Sequence, residues 1–546
     1  MKNNNYFRIS GNIIDIHERK IFKGSLLVKD GGIVGIESSD DVPEVFILPG
    51  LIDSHIHIES SMITPGAFAT AAVRHGTVGV VTDPHEIANV MGIEGVMFMI
   101  EDSGKVPMKF WFGAPSCVPA TGFETAGATI SVDEIRKLLS LDKVKFLSEM
   151  MNYPGVIYDD AVVGEKLGAA RAAGKPIDGH APGLRGEMLA KYVSAGISTD
   201  HECSSIDEAL EKISLGMKII IREGSAARNL DSLKELYRTN PGMIMLCSDD
   251  LHPEMLKVRH INKLVAKLIS EGYDVFDVIR SATLNPHEHY SIDNGLMREG
   301  DPADLVIVDD LRTMNVLETW IDGSLVYKNG ETKFAYIPGK PVNNFHASET
   351  KEQDLSVPAY QSGVKVIRAF EGELLTGEMI WKPLPGAEIE PDLQKDILKI
   401  VVKDRYHDSP PAAAFISGFG LKSGAFASSI AHDSHNIICV GTNDEDMVRA
   451  INEIASMKGG LAVVSGDNVS ALQLDIAGIM STRSCEDIAT EYQHLNDLVK
   501  SMGCPMNAPF MTLSFMALLV IPDLKISDKG LFDVREFRLV SNFVEE

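Results

Sequence analysis

Residues 48–59 read Leu-Pro-Gly-Leu-Ile-Asp-Ser-His-Ile-His-Ile-Glu, an apolar run that ends in two histidines. The apolar run predicts a buried strand, and residues spaced i, i+2 in a strand point to the same side, so His55 and His57 share one side. Two imidazoles on one side of a strand end are typical of metal ligands. A pair of buried core histidines is the alternative, and the recurrence of similar residues after later strands disfavours it.

Seven further apolar segments follow this one and alternate with helix-like sequence. The eight strand candidates are Gly50–His57, Thr77–Asp83, Lys109–Ala114, Val144–Glu149, Pro176–His180, Gly196–His201, Met217–Ile221 and Met243–Asp249. Eight β/α units in about 250 residues fit a (β/α)8 barrel, in which the chemistry lies at the C-terminal ends of the strands. The polar residues at those ends are His55, His57, Asp83-Pro84-His85-Glu86, Glu149, His180, His201 and Asp249.

Two β-rich pieces bracket the predicted barrel. The first contains Asp30-Gly31-Gly32 between two apolar runs, which is a hairpin signal, and the same pattern returns near Asn329-Gly330. The simplest architecture is one small β domain made of residues 1–49 and 301–337, with the barrel of residues 50–300 inserted between them.

The remaining chain reads as a separate unit. Residues 338–362 are rich in Pro, Asn, Ser and charged residues, which predicts a linker. Residues 363–546 then form a C-terminal α/β domain, in which Asp444 can cap a helix that precedes the strand Leu461–Val464. The whole chain is therefore predicted to be of the α/β class.

The segment Ala431-His432-Asp433-Ser434-His435-Asn436 is unusual within that domain. It can be a second metal or catalytic site, or a turn that packs on the barrel mouth or on a second subunit. The sequence leaves these interpretations open.

Composition and charge exclude several classes of protein. The 546 residues are 45% hydrophobic and 23% charged, as in an ordinary globular protein. The net charge of −26 opposes an extended phosphate-binding surface, so nucleic acid is not expected as a partner. A small, neutral or locally recognised substrate fits better.

The cysteines and termini indicate a cytoplasmic protein without a membrane segment. The six cysteines lie far apart with no C-x-x-C pair, which predicts reduced thiols. The N-terminus lacks the pattern of a secretory signal, and the longest apolar stretch, around Phe515 to Pro522, is far too short to span a bilayer.

The residues at the strand ends carry a family resemblance. The Pro-Gly-Leu-Ile-Asp-x-His-x-His opening, single histidines after strands five and six and an aspartate after strand eight resemble the amidohydrolase superfamily of metal-dependent hydrolases. Within it, the sequence is similar to the bacterial-type adenine deaminases, which convert adenine to hypoxanthine and ammonia. The similarity covers essentially the whole chain, and its motifs are residues 58–62, 82–90, 148–152, 179–183 and 248–250.

The resemblance implies a set of metal ligands. His55, His57, Glu149 and Asp249 would hold one divalent ion, and Glu149, His180 and His201 the other. Many superfamily members bridge two metals with a carboxylated lysine, whereas the resemblance implies that Glu149 would supply the bridging oxygens here. The family implies manganese or iron, and zinc remains an alternative because imidazole and carboxylate ligands do not separate them.

The resemblance also implies catalytic roles. A metal-activated water would attack C6 of adenine, with Asp249 both ligand and base, Glu86 the acid that protonates N1, and Asp83 an aid to the departing amine. His85 would contact substrate or metal. The alternative for residues 83–86 is an Asp-Pro turn with a capping carboxylate at the start of the next helix.

The sequence is also compatible with alternatives to deamination, and some classes are disfavoured. The same metal centre could hydrolyse a cyclic amide or an N-acyl bond, because a fold does not determine a substrate. A barrel that has lost its chemistry would lack ligands, and a nucleic-acid deaminase would need the P-C-x-x-C half of its signature, which is absent. We expect a free purine base as substrate and a homodimer or higher homo-oligomer.

Overall fold

A computed structural model of the chain describes residues 6–225, 227–358, 363–384, 386 and 388–544. The chain starts in a small sheet with strands β1 (Tyr6–Asp15), β2 (Lys20–Lys29), β3 (Gly32–Ser38) and β4 (Phe46–Pro49). The strands β1 and β2 form an antiparallel hairpin, and β4 lies parallel to β1. Only Gly50 separates β4 from the first barrel strand. The small sheet therefore fixes where the barrel begins.

Eight parallel strands follow within the described residues. They are β5 (Leu51–Ile56), β6 (Thr77–Thr82), β7 (Lys109–Ala114), β8 (Val144–Met150), β9 (Ile177–Gly179), β10 (Thr199–Asp200), β11 (Lys218–Arg222) and β12 (Ile244–Cys247). The strands β5 to β9 form one arc and β10 to β12 another. Parallel bridges between Ile177 and Ile197 and between Ile56 and Asp249 join the arcs into a ring. The predicted (β/α)8 barrel is confirmed, and each strand lies inside its predicted segment or extends one residue beyond it.

Helices surround the barrel strands. They are α1 (Pro65–Ala72), α2 (His85–Ser103), α3 (Val132–Leu139), α4 (Tyr153–Ile157), α5 (Ala161–Ala172), α6 (Gly186–Ser194), α7 (Ile206–Ser214), α8 (Leu230–Leu233), α9 (Pro253–Leu256), α10 (Ile261–Ser270), α11 (Val275–Ser281) and α12 (Leu284–Tyr290). Local sequence sets their starts: Ser131 and Glu134 form a capping box at α3, and Asp274 caps α11. Short 3₁₀ turns occur at Ile58–Ser61, Val73–His75, Lys234–Arg238, Pro241–Met243 and Glu352–Leu355.

After the barrel the chain returns to the small sheet. The returning strands are β13 (Leu305–Val308), β14 (Val316–Ile321), β15 (Ser324–Lys328) and β16 (Glu331–Thr332). The sheet has the order β16-β15-β14-β13-β4-β1-β2-β3, so β13 pairs with β4 and joins the two pieces of chain. Residues 359–362, the end of the predicted linker, lie outside the described residues.

The C-terminal part of the chain forms a second α/β unit. Its strands and helices are β17 (Val364–Arg368), β18 (Gly377–Trp381), β19 (Leu398–Lys403), β20 (Ala412–Ser417), β21 (Ala425–Ser428), β22 (Ile437–Gly441), α13 (Asp444–Met457), β23 (Gly460–Ser465), β24 (Asn468–Gln473), α14 (Cys485–Ser501), α15 (Pro509–Phe515), β25 (Leu524–Ser527), β26 (Gly530–Asp533) and β27 (Arg538–Leu539). The strands β17 to β24 form one mixed sheet. The capping prediction for Asp444 is wrong, because Asn443 caps α13 by accepting from the Asp446 amide at 2.9 Å.

The C-terminal unit is docked on the barrel mouth. The Ser481 amide donates to the Met62 carbonyl at 2.8 Å, and the Thr125 amide donates to Asp528 Oδ1 at 2.8 Å. Tyr492 on α14 lies 2.8 Å from His252 Nδ1, just before α9. Loops that follow several barrel strands are thus covered by the C-terminal unit.

The thiol prediction is confirmed, since all six cysteines are free and buried. Among the described residues, no helix combines the length and apolar character needed to cross a bilayer.

Candidate active site

Glu149 lies at the centre of a cluster of histidines at the C-terminal edge of the barrel. Its Oε1 is 3.3 Å from His57 Nε2, and its Oε2 is 2.7 Å from His180 Nδ1 and 3.3 Å from His201 Nε2. All four side chains are buried. One carboxylate therefore faces imidazoles on both of its oxygens.

A second group of ligand atoms meets beside it. His55 Nε2 lies 3.2 Å from His57 Nε2, and Asp249 Oδ1 lies 3.6 Å from the former and 3.4 Å from the latter. The structure thus brings together all six residues predicted to bind metal, each from the end of a different strand except for the His55 and His57 pair.

The spacing of these atoms fits metal ions. Two donors bound at about 2.1 Å to one tetrahedral ion lie about 3.4 Å apart, which is close to most of the separations above. The two imidazole nitrogens of His55 and His57 face each other at 3.2 Å, a separation that two nitrogen ligands of one metal ion can also adopt. The donor set of imidazole and carboxylate without thiolate suits manganese, iron or zinc.

The backbone around Asp249 is held in an unusual conformation. Its φ of 54° lies in the left-handed region, which a non-glycine residue adopts only where its surroundings impose it. The Asp249 amide donates to the His55 carbonyl at 3.0 Å, which ties the eighth strand end to the first. The left-handed backbone conformation and this hydrogen bond together hold the Asp249 carboxylate close to His55 and His57.

Arg222 fixes the other oxygen of Asp249 and was missed by the sequence analysis. Its Nη1 donates to Asp249 Oδ2 at 2.6 Å, and its Nη2 donates to Glu202 Oε2 at 2.8 Å. Burial would raise the pKa of Asp249, but Arg222 and the histidines outweigh it and hold that pKa well below its usual value. Their positions in the sequence could have indicated that both residues belong to the site. Arg222 is the last residue of β11, and Glu202 directly follows the predicted metal ligand His201.

The loop after β6 supplies the predicted acid residues. His57 Nδ1 lies 3.1 Å from the Asp83 carbonyl, a contact that leaves Nε2 free to bind metal. The Asp83 carboxylate accepts from the His85 amide at 3.1 Å and lies 3.3 Å from His85 Nδ1. Asp83 thus has a turn-forming role, and its second oxygen faces the site.

Glu86, the second residue of α2, does not cap that helix. The carboxylate that accepts from the amide of Ile87 at 3.1 Å belongs to Glu59, not to Glu86. Glu86 Oε1 instead lies 2.6 Å from His432 Nδ1, and its Oε2 is in contact with His435 Nε2. The capping interpretation of Glu86 is therefore wrong, because its carboxylate points away from the helix start and into the site.

The segment 431–436 lies at the barrel mouth, one of the positions that the sequence left open. His432, Asp433, Leu374, Phe515 and Leu518 from the C-terminal unit line the same cavity as the metal-site residues. The site is consequently built by both units.

A larger cavity of about 450 Å³ adjoins this one. Glu202, Arg222 and Leu374 line both cavities, so the two are neighbours. The outer cavity lies between barrel loops and the C-terminal segments 372–375 and 520–522. Residues of both units therefore line the outer cavity as well.

Family models match most of the chain. The model described as "Amidohydrolase family" matches residues 46–326, and the model described as "Adenine deaminase C-terminal domain" matches residues 373–538.

Named relatives match along nearly the full length. An adenine deaminase of Salinibacter ruber is 50% identical over 542 residues, which cover 99% of each chain. An adenine deaminase of Methanosarcina mazei is 50% identical over 550 residues, covering 98% of this chain and 99% of the relative. Among solved structures, a β-aspartyl dipeptidase of Fervidobacterium islandicum AW-1 is 14% identical with a TM-score of 0.47, covering 61% of this chain and 99% of that one.

Proposed function

Because this chain belongs to the adenine deaminase family of amidohydrolases, we infer that it converts adenine to hypoxanthine and ammonia. The observation that supports this chemistry most is that possible metal ligands and further carboxylates share one buried site. The ligand atoms around Glu149 and Asp249 lie in the same buried cluster of side chains as the carboxylates of Asp83 and Glu86. Hydrolysis of an aromatic amine needs both a nucleophile and a proton donor.

Divalent metal use comes with the amidohydrolase family. We propose that His55, His57, Glu149 and Asp249 hold one ion and that Glu149, His180 and His201 hold the other, with manganese or iron as the metal and zinc as the alternative. Bound metal would acidify a water so that a nucleophile is available near neutral pH.

Asp249 is proposed as the base. It takes one proton from the water as the oxygen attacks C6, and it returns that proton to the amino group, which leaves as ammonia. Arg222 holds Oδ2 at 2.6 Å, so Oδ1 stays directed to the ligand cluster throughout.

Glu86 is proposed as the acid for N1. Attack at C6 moves electron density onto N1, and a proton delivered there stabilises the developing charge. The second proton of the water leaves the C6 oxygen when the carbonyl forms, and it restores the proton that Glu86 gave. Asp83 assists the departing amine, and His85, between Asp83 and Glu86 in the loop, contacts the purine ring.

We also propose a cellular compartment and an oligomeric state for the protein. The six unpaired, buried thiols support a cytoplasmic location. A homodimer or higher homo-oligomer is expected, and light scattering on the purified protein would measure it.

The experiment that tests the proposed function compares substrates on protein reconstituted with manganese. Ammonia release from adenine and adenosine, and ring opening of hydantoin to N-carbamoylglycine, would be measured at equal metal content, with Asp249→Asn as the inactive control. We expect the highest kcat/KM with adenine. Faster hydrolysis of hydantoin would favour the cyclic-amide alternative, and equal kcat/KM for adenine and adenosine would contradict the preference for a free base.

A further inference from the structure

Both oxygens of the Glu86 carboxylate are held by histidines of the C-terminal unit. His432 Nδ1 lies 2.6 Å from Oε1, and His435 faces Oε2. Glu86, His432 and His435 are 2%, 4% and 1% exposed, so solvent does not take the place of these contacts. The side-chain partners of this barrel residue therefore lie nearly 350 positions later in the chain.

Packing and hydrogen bonds within the C-terminal unit hold His432 and His435 in place. The His432 ring stacks on Phe515, with centroids 5.1 Å apart and planes 21° from parallel. The fully buried Arg405 donates to the His435 carbonyl at 3.1 Å. His435 has a φ of 56°, a left-handed conformation that such contacts must maintain.

The closest imidazole partners of Glu86 belong to the C-terminal unit, and the barrel supplies a more distant one. The nearest barrel imidazole, His85, has its Nε2 3.6 Å from Glu86 Oε1, and its other nitrogen faces Asp83. Glu59 and Asp250 are further carboxyl groups near Glu86 and supply no positive charge to it. An isolated buried carboxylate is costly, so Glu86 depends on the C-terminal histidines for its charge and its orientation.

The charges around the pair come from several elements. The titratable and charged groups that face Glu86, His432 or His435 are Glu59, His85, Asp250, His252, Arg405 and Asp433. Burial would lower the pKa of His432, but Glu86 and its neighbours outweigh burial and raise it to about 9. The proton of this pair therefore rests on His432 Nδ1 near neutral pH.

We propose that His432 supplies the proton that Glu86 delivers to N1, and that His435 positions the Glu86 carboxylate while it does so. The inference rests on the proposed role of Glu86 as the acid. The Glu86 carboxylate receives the proton from His432 Nδ1 and passes the proton on to N1. The second proton of the attacking water restores it on His432 when the product carbonyl forms, so no outside proton is consumed. The C-terminal unit is then part of the catalytic machinery.

The test is a set of single and double variants of the full-length, metal-loaded protein. They are His432→Gln, His435→Gln, Glu86→Gln and the double variant Glu86→Gln with His432→Gln, and His494→Gln on the exposed face of α14 is the matched control. We expect His432→Gln to lower kcat by about 10- to 100-fold with KM nearly unchanged, because glutamine keeps a hydrogen bond but carries no transferable proton. The double variant should be no slower than Glu86→Gln alone.

A pH profile adds a readout that a structural role would not move. In the wild type, kcat should fall as pH rises through about 9, where His432 loses its proton. This decrease in kcat at high pH should be absent in His432→Gln and retained in the His494→Gln control. Metal content should be the same in all of these proteins.

The outcomes separate this inference from the proposed function. If Glu86→Gln is slowed but His432→Gln has wild-type kcat, the inference is overturned and the role of Glu86 stands. If Glu86→Gln itself has near wild-type kcat, the acid assignment fails first. If His432→Gln does not fold, Phe515→Leu is the substitute variant, because it removes the ring that stacks on His432 and leaves the imidazole in place. A lower kcat at constant KM in Phe515→Leu would support the inference. An unchanged kcat would overturn it.

Discussion

Glu86→Gln removes an ionisable carboxyl from the barrel while keeping the size of the side chain. Glutamine retains one oxygen that can accept from His432 at the position of Oε1, which is 2.6 Å away in the structure. The amide group replaces the oxygen that faces His435, and it has no proton to give to N1. The substitution therefore separates proton donation from packing.

The size of the effect follows from these contacts. General acid catalysis contributes about 10²- to 10⁴-fold in rate, so we expect kcat for adenine to fall at least about 100-fold, or about 2.7 kcal/mol in the barrier. Loss of the charged contact to His435 should cost about 1.5–3 kcal/mol of stability. The second cost lowers the melting temperature but does not change the rate of each folded, metal-loaded molecule.

The assay follows ammonia release from adenine, normalised to protein with full metal content, alongside a thermal melt. A kcat within about tenfold of wild type, with a lower melting temperature, would refute the acid role of Glu86. Asp83, whose Oδ2 lies 3.3 Å from His85 Nδ1, would then be the next candidate.

Three further variants or treatments test the other parts of the site. Glu149→Gln removes the carboxylate shared by His57, His180 and His201 and should lower metal content and abolish turnover; an active variant with two full equivalents of metal would defeat the bridging assignment. Arg222→Met frees Asp249 Oδ2 and should raise the pKa of Asp249, so the acidic limb of kcat/KM should move to higher pH; an unmoved limb would count against Arg222 as its partner. Removal of metal by a chelator should lower the melting temperature and readdition of manganese should restore it, because ligands that bind the folded state stabilise it; identical melts of the two forms would argue against a metal centre built from these residues.

Local sequence was sufficient for the barrel and most of its site. Each strand is a short apolar run that stops at a polar residue, and this pattern located β5 through β12 because parallel strands are buried on both faces. The C-terminal ends of parallel strands meet at one edge, so the sequence alone predicts that His55, His57 and Asp249 lie together.

The remaining site residues depend on contacts that local patterns do not encode. Glu86 and His432 are 346 residues apart, and no periodicity relates an acid on a barrel loop to a turn in another unit. The polar segment 431–436 was recognisable as unusual, but its partner was not. Arg222 ends a buried strand, which was a usable signal, whereas its pairing with Asp249 and Glu202 appears only in three dimensions.

Oxygen-18 labelling of the product tests hydrolytic attack at C6 most directly. Metal-reconstituted protein would convert adenine in labelled water, and the hypoxanthine and ammonia formed would be quantified by mass spectrometry and an enzymatic ammonia assay. The account predicts one ammonia and one labelled oxygen at C6 for each hypoxanthine. Hypoxanthine without the label, or ammonia without hypoxanthine, would contradict it.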